Sequence, residues 1–514
     1  MSPGSTERNA VGEGIGSPVG DTVGVGAMAV YLPRLRVDLR RWCAWTGHDP
    51  DKVGAVTGRA FRMCGPDEDV YTMAATAVLR LILDNAVDPG TVGFLALGTE
   101  SSTDNAVGTA TVRGMVDREL ARRGLPVLPR DVEIPEYKHA CLGGMYALCG
   151  AARFTLCDAR GRRGIVVASD VAEYERGSTG EQTQGAGAVA LLVERSPALF
   201  TLDLAAATGA SAYRGPDFRK PVARHRLPGY APATRRTSDF PVFSGRYSST
   251  AYLDAVTGAV ESLWRRDAAS PAEQLDSLGA LFLHRPYRHM PLQALSFLYV
   301  RALAASPERR RELDRLCDGG PEAAEVRAEL AHRPDLFAAV LAGDRSPEPF
   351  PATAALAARL RRTPAFRSFA DRTLGPGREL LDEVGNLYTA ALPAWIAAGL
   401  ASAAEAEAAD ETEDETEPAG TPMLAVGYGS GDAALALPFS PVPGWRSAAR
   451  RIGFARALDH PVDLDRELYE ALHDRREVPG LHLHPQDRFT VVGTGGEYGR
   501  DFQDLAVDYY AYEY

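Results

Sequence analysis

The sequence predicts an α/β protein whose sheets are covered on both faces. Three observations predict it. First, six short runs are apolar throughout rather than alternating: VGVGAMAVYLP (23–33), VGFLALGTE (92–100), GIVVASD (164–170), GAVALLVE (187–194), LGALFLH (278–284) and MLAVGYGSG (423–431). Runs of this length and kind suit strands buried on both sides. Second, helical patterns lie between them, and strand–helix alternation gives the α/β class. Third, the runs end on polar groups, namely Glu100, Asp170, His284 and the GYGSG loop. In open α/β sheets ligands gather at the carboxyl ends of strands, so chemistry is expected there.

The helices follow from their own signals. EDVYTMAATAVLRLILDNA (68–86) has an acidic start and a long apolar stripe. CLGGMYALCGAARFTLCDA (141–159) is a second. STAYLDAVTGAVESLWRRD (249–267) begins with Ser/Thr and ends with basic residues, which complements the helix dipole. Residues 1–22 are rich in Gly, Ser and Pro, lack the apolar core of a signal peptide and read as a flexible leader. Residues 306–378, rich in Arg, Ala, Glu and Pro, read as an added helical segment. Residues 403–420, AAEAEAADETEDETEPAG, read as a disordered acidic loop in which like charges repel. The longest apolar stretch, Leu387 to Ala401, contains a proline and is too short to span a bilayer.

Composition narrows the function. Hydrophobic residues at 45% and charged residues at 24% give the balance of a globular protein with an ordinary core. The formal charge of −12 argues against a nucleic-acid groove, which needs a basic surface. Six cysteines in 514 residues are too few for a disulfide framework, and no CxxC pair suggests zinc. A cytoplasmic protein without a metal is expected.

Cys141 lies in EYKHACLGGMYAL, at the start of a helix of small residues. A thiol there feels the helix dipole and unpaired N–H groups, which favour the nucleophilic thiolate. Gly143 allows close approach of substrate to the backbone. Glu100 ends an apolar run and suits a general base. His284, directly after another run, can exchange hydrogen bonds near neutral pH. Asn386, in VGNLYT, can hold a carbonyl without competing for protons. The loop holding Tyr428, Gly429 and Ser430 offers an exposed N–H donor. Singly, each has an ordinary structural explanation: a small buried hydrophobe for Cys141, a surface salt bridge for Glu100, a core-edge ring for His284, a cap for Asn386, a plain turn for the glycines.

Taken in chain order, the TES segment with Glu100, the E-x-K-x-AC segment with Cys141, SDVAEY…GEQTQGAGAVALLV, LFLHRPYRHM, VGNLYT and GYGSG resemble the hydroxymethylglutaryl-CoA synthase family of the thiolase superfamily. The resemblance implies a duplicated αβαβα fold, with one half over 23–240 and the other over 241–514, in a homodimer. It implies that Cys141 takes acetyl from acetyl-CoA, that Glu100 makes the enolate, and that His284 and Asn386 orient acetoacetyl-CoA. The product is HMG-CoA, a step of mevalonate-based isoprenoid biosynthesis, with coenzyme A thioesters as substrates and no cofactor. The N–H groups of Cys141 and Ser430 are the expected oxyanion donors. Where the family carries a lysine near the CoA phosphates, this chain has His289. Arg285 and Arg288, with Arg219 and Lys220 of DFRKP, are the expected replacements. Two other readings stand beside this one. A polyketide β-branching synthase would act on carrier-protein thioesters, and a catalytically silent scaffold would do no chemistry.

Overall fold

A computed structural model of the chain describes residues 22–102, 108–157, 160–218, 240–318, 320–408, 420–478, 481 and 487–514. Ten strands make the main sheet. They are β1 (Val23–Tyr31), β2 (Val92–Gly98), β3 (Glu136–Tyr137), β4 (Arg163–Ala172), β5 (Gly185–Arg195), β6 (Phe200–Leu202), β7 (Thr208–Ser211), β8 (Ala280–Leu283), β9 (Met423–Gly429) and β10 (Ala433–Pro441). The helices that matter for the site are α1 (Val70–Asp84), α2 (Gly108–Arg122), α3 (Gly143–Cys157), α4 (Arg246–Trp264), α5 (His289–Ala305), α6 (Leu336–Leu341) and α7 (Ala391–Ala408).

The sheet order is β8-β9-β10-β6-β1-β5-β4-β2-β3, with β7 alongside β10. Its two wings repeat one pattern. Outward from β1, β5 and then β4 pair antiparallel, and β2 joins parallel. Outward from β6, β10 and then β9 pair antiparallel, and β8 joins parallel. β1 and β6 meet antiparallel at the seam. The same succession twice is the signature of a duplicated half.

Each strand of the first wing serves two cores. Met28, Val30, Ala96, Val166 and Leu191 face a core shared with α3 and α7. Their neighbours Ala29, Tyr31, Leu97, Val167 and Leu192 face a second core under α1 and α2. Burial on both faces removes any need for polar alternation, which is why these segments are continuously apolar. On the second wing α4 covers β7, β9 and β10. The result is the layered αβαβα arrangement. α1 starts where the acidic signal put it, with Asp69 and Thr72 closing a capping box. Ala140–Cys157 is apolar and long enough to cross a bilayer by composition, yet it is 67% buried, in the middle layer.

Four boundaries differ from expectation. α3 begins at Gly143, so Cys141 precedes it by two residues. α4 begins at Arg246 with Gly245 before it and no side-chain cap. α7 extends to Ala408, so the start of the expected acidic loop is helix, and 409–419 lie outside the described residues, as does the leader through 21. β10 was not anticipated, because ALALPFSP carries two prolines. Pro438 falls between the stretch paired with β7 and the stretch paired with β6, where the flank of β10 changes partner. The added segment is helical as expected, and its helices pack on α5.

Candidate active site

β2 ends at Gly98 and delivers Glu100, while the turn after β3 delivers Cys141. That turn is tight: Leu142 N–H donates to His139 O at 3.0 Å, and Ala140 has φ 43°. A non-glycine residue in the left-handed region is strained, and such strain gathers at reactive positions. Cys141 Sγ donates to Glu100 Oε2 at 3.1 Å. The positive end of α3 lies just behind.

Glu100 is set by Asp170, at the end of β4 and fully buried. Asp170 Oδ1 accepts from Thr99 Oγ1 at 3.0 Å, Glu100 N at 2.7 Å and Ser101 Oγ at 2.7 Å. Its other oxygen accepts from Thr389 N at 2.8 Å and from the Thr389 hydroxyl. Sequence reasoning gave Asp170 a place at a strand end but no role.

Asn386 is buried, and its Oδ1 accepts from Tyr388 N at 2.9 Å. The side-chain group left to offer is Nδ2, which lies 3.5 Å from the Tyr174 hydroxyl. Tyr388 has φ 44°, a second strained residue. Tyr174, Tyr388 and Phe218 surround Cys141, with ring centroids 5.8–6.4 Å apart. Burial holds both tyrosine hydroxyls well above their usual pKa, so they are neutral donors. Neither tyrosine was anticipated, although both stand in quoted motifs. Within GEQTQGAG, Gly180, Gln182 and Thr183 line the same cavity as Cys141, while Glu181, Gln184 and Gly185 serve structure. Gln184 Oε1 accepts from Tyr174 N at 3.0 Å, and Glu181 accepts from Trp42 Nε1 and Tyr469 OH. A Cβ at Gly185 would lie 2.3 Å from Asn386 O, so only glycine lets β5 meet that turn.

His284 follows β8 and is buried, and burial pushes its imidazole down to about 3. It is therefore a neutral hydrogen-bonding group, not a cation, in the working range. This gives a pH test. His284→Asn is expected to lower kcat roughly 10²–10³-fold, the usual cost of one polarising donor, while leaving the shape of the rate–pH profile unchanged from about pH 5 to 8. A wild-type limb near pH 6–7 that disappears in the variant would show the ring titrating after all.

At the end of β9, Tyr428 OH donates to Asp217 Oδ2 at 2.6 Å, and Ser430, just beyond the strand, faces the same space as Cys141. A Cβ at Gly429 would stand 2.6 Å from His139 O, so this glycine lets the end of β9 approach the cysteine turn. Gly143 is different from expectation. It faces Tyr137 O, where a Cβ would be 2.6 Å away, and serves packing of α3 on β3 rather than substrate approach.

The expected CoA-phosphate contacts fare differently. Arg285 is buried and bonded to Asp382 at 2.5 Å; Arg288 joins the same carboxylate at 3.2 Å. Arg285 is thus structural, and burial lowers its pKa to about 10. Removing its counter-charge by Asp382→Ala is expected to cost about 3–5 kcal/mol, as for other broken buried pairs, read as a drop in the urea midpoint. A loss below about 1 kcal/mol, the range of exposed pairs, would contradict this. His289 lines the cavity that holds Cys141, with its pKa lowered by burial. Arg219 and Lys220 lie outside the described residues.

Cys141, His284, Asn386, Tyr428 and Ser430 line one cavity of about 450 Å³, together with Phe218, Phe243 and Met290. Among the described residues, no lysine or arginine lines it.

Residues 19–197 match the family model described as the hydroxymethylglutaryl-coenzyme A synthase N terminal. The hydroxymethylglutaryl-CoA synthase of Haloferax volcanii is 26% identical over 92% of this chain and 97% of its own length. The structure of MvaS in complex with 3-hydroxy-3-methylglutaryl coenzyme A superposes with TM-score 0.71 at 25% identity, covering 96% of this chain and 99% of that one. In sequence and in fold the chain is similar to the hydroxymethylglutaryl-CoA synthases. Its fold is thiolase-like, duplicated and layered, with the helical insertion. The curacin biosynthetic pathway HMG synthase, in complex with apo donor-ACP, shares that fold at TM-score 0.65 and 19% identity, over 96% of this chain and all of its own. This similarity supports an acyl-condensing enzyme.

Proposed function

We propose that the protein condenses an acetyl group held on Cys141 with the ketone of acetoacetyl-CoA to give HMG-CoA. The observation that carries this is the 3.1 Å Cys141–Glu100 contact, with Cys141 lining a cavity shared with His284, Asn386 and Ser430. The Cys141 thiol attacks the thioester of acetyl-CoA, loses its proton and releases the coenzyme A thiol. Glu100 then takes a proton from the acetyl methyl. The enolate carbon bonds to the acceptor ketone carbon, and the resulting alkoxide recovers a proton. Water finally cleaves the Cys141 thioester and restores the thiol. A thioester makes the methyl more acidic than an oxygen ester would. The Cys141 and Ser430 N–H groups supply the donors that an enolate oxygen needs. Neutral His284 and Asn386 Nδ2 polarise and hold the acceptor carbonyls. No step calls for a cofactor; the reading includes a cytoplasmic homodimer.

One observation favours a second reading. Among the described residues, the cavity presents no cation for the phosphates of coenzyme A. A neutral pantetheine arm delivered by a carrier protein suits such a lining, and the curacin enzyme shares the fold. The test offers acetyl-CoA with acetoacetyl-CoA, and separately the same acyl groups on a carrier protein. Turnover of the free pair at ordinary kcat/KM, about 10⁴ M⁻¹s⁻¹ or more, is expected. Turnover only with carrier-bound partners would replace the first reading by the second. A chain inert to both, with no acyl adduct on Cys141, would leave the scaffold.

A further inference from the structure

The inserted helices take no part in the chemistry above, yet they reach the Ser430 turn. In α6, Leu336 packs with Tyr247 and Ala251 of α4. The ring of Phe337 meets Tyr213 edge-on, centroids 4.8 Å apart. It also covers Gly215, where a Cβ would lie 2.2 Å from the ring. Between these two residues, Arg214 turns inward and is buried. Its guanidinium pairs with Asp254 of α4 and, at 3.3 Å, with Asp432, two residues beyond Ser430.

The backbone makes the same connection. Ala212 N donates to Asp432 O at 3.3 Å, Asp432 N to Ala212 O at 3.0 Å, and Arg214 N to Gly431 O at 3.3 Å. On the cavity side Asp217 accepts from Gly431 N at 3.3 Å and from Tyr428 OH. Residues 212–217 therefore grip the turn from both sides, and Phe337 presses on that grip. The Asp432 side chain has 0% exposure; burial pushes its carboxyl up to about 7, and the neighbouring Arg214 guanidinium pulls the other way.

We propose that the inserted helices set the position of the Ser430 N–H through Phe337, Arg214 and Asp432, making Phe337 and Asp432 positioning residues for the acyl chemistry. This rests on Ser430 being an oxyanion donor in the reading above. An oxyanion donor acts only when held near its productive place, and a shift of about 1 Å can cost 10²-fold. An insertion distant from Cys141 can therefore govern turnover.

The experiment uses the full chain with Asp432→Asn, Phe337→Leu and the double variant. Amide exchange across 427–434 is followed beside steady-state kcat and KM. Each single variant is expected to speed exchange of that segment and to lower kcat about 10-fold, the cost of about 1.4 kcal/mol in the barrier. KM should stay within about twofold, because substrate binding is not what changes. The double variant should be no worse than Asp432→Asn alone, since both act through one contact chain. Unchanged exchange at 427–434 in Phe337→Leu, or losses that simply add, overturns the proposal. The exchange measurement needs no substrate. A wild type inert to CoA thioesters would count against the proposed reaction, while exchange would still decide the coupling.

Discussion

Cys141→Ser is expected to reduce turnover by at least about 10⁴-fold, the scale seen when a covalent nucleophile is removed. It should also remove the acetyl adduct that mass spectrometry detects on the wild type after mixing with acetyl-CoA. The loss is large because two things fail at once. A serine hydroxyl 3.1 Å from a carboxylate is far harder to ionise than the thiol that stands there. Any ester that did form would hold its methyl protons more tightly than a thioester does. Cys149, buried deeper in α3 with its thiol pushed up to about 11 by burial, offers no substitute nucleophile. Activity within about tenfold of wild type would remove Cys141 from the mechanism.

Glu100→Gln should split the reaction rather than stop it at the start. The shape is kept, and the backbone N–H of residue 100 still has Asp170 to hold it. Acetylation of Cys141 is expected to proceed, because the thiol retains its place beside the start of α3. Condensation should fall about 10²–10⁴-fold, the contribution of a positioned general base. In heavy water the wild-type adduct should exchange its methyl protons and the variant's should not. A Glu100→Gln protein that condenses normally would assign the base elsewhere.

The principal groups could be read from sequence because they stand at the ends of apolar runs, and two-sided burial makes those runs conspicuous. Six of the main strands were recognisable for that reason. β3, β6 and β7, of two, three and four residues, and proline-bearing β10 were not. Local signals also failed where partners are distant. Arg285 follows His284 directly and reads as a phosphate ligand, but Asp382, 97 positions away, neutralises it. Ala140 and Tyr388 adopt positive φ, which glycine advertises and an alanine or tyrosine conceals. Asn386 was recognisable as an amide near the site. Which end of the amide is free depends on a backbone donor two residues on.

Asp170 joins groups that the chain separates widely. Thr99, Glu100 and Ser101 bind one of its oxygens, and Thr389, three residues from Asn386, binds the other. The placement of the base and the placement of the acceptor-binding turn are thus read off a single carboxylate. Anyone recombining this chain with a relative should treat residues 99–101, 170 and 386–389 as one inherited block. A hybrid that crosses over between them can have two well-folded parents and still misalign the site.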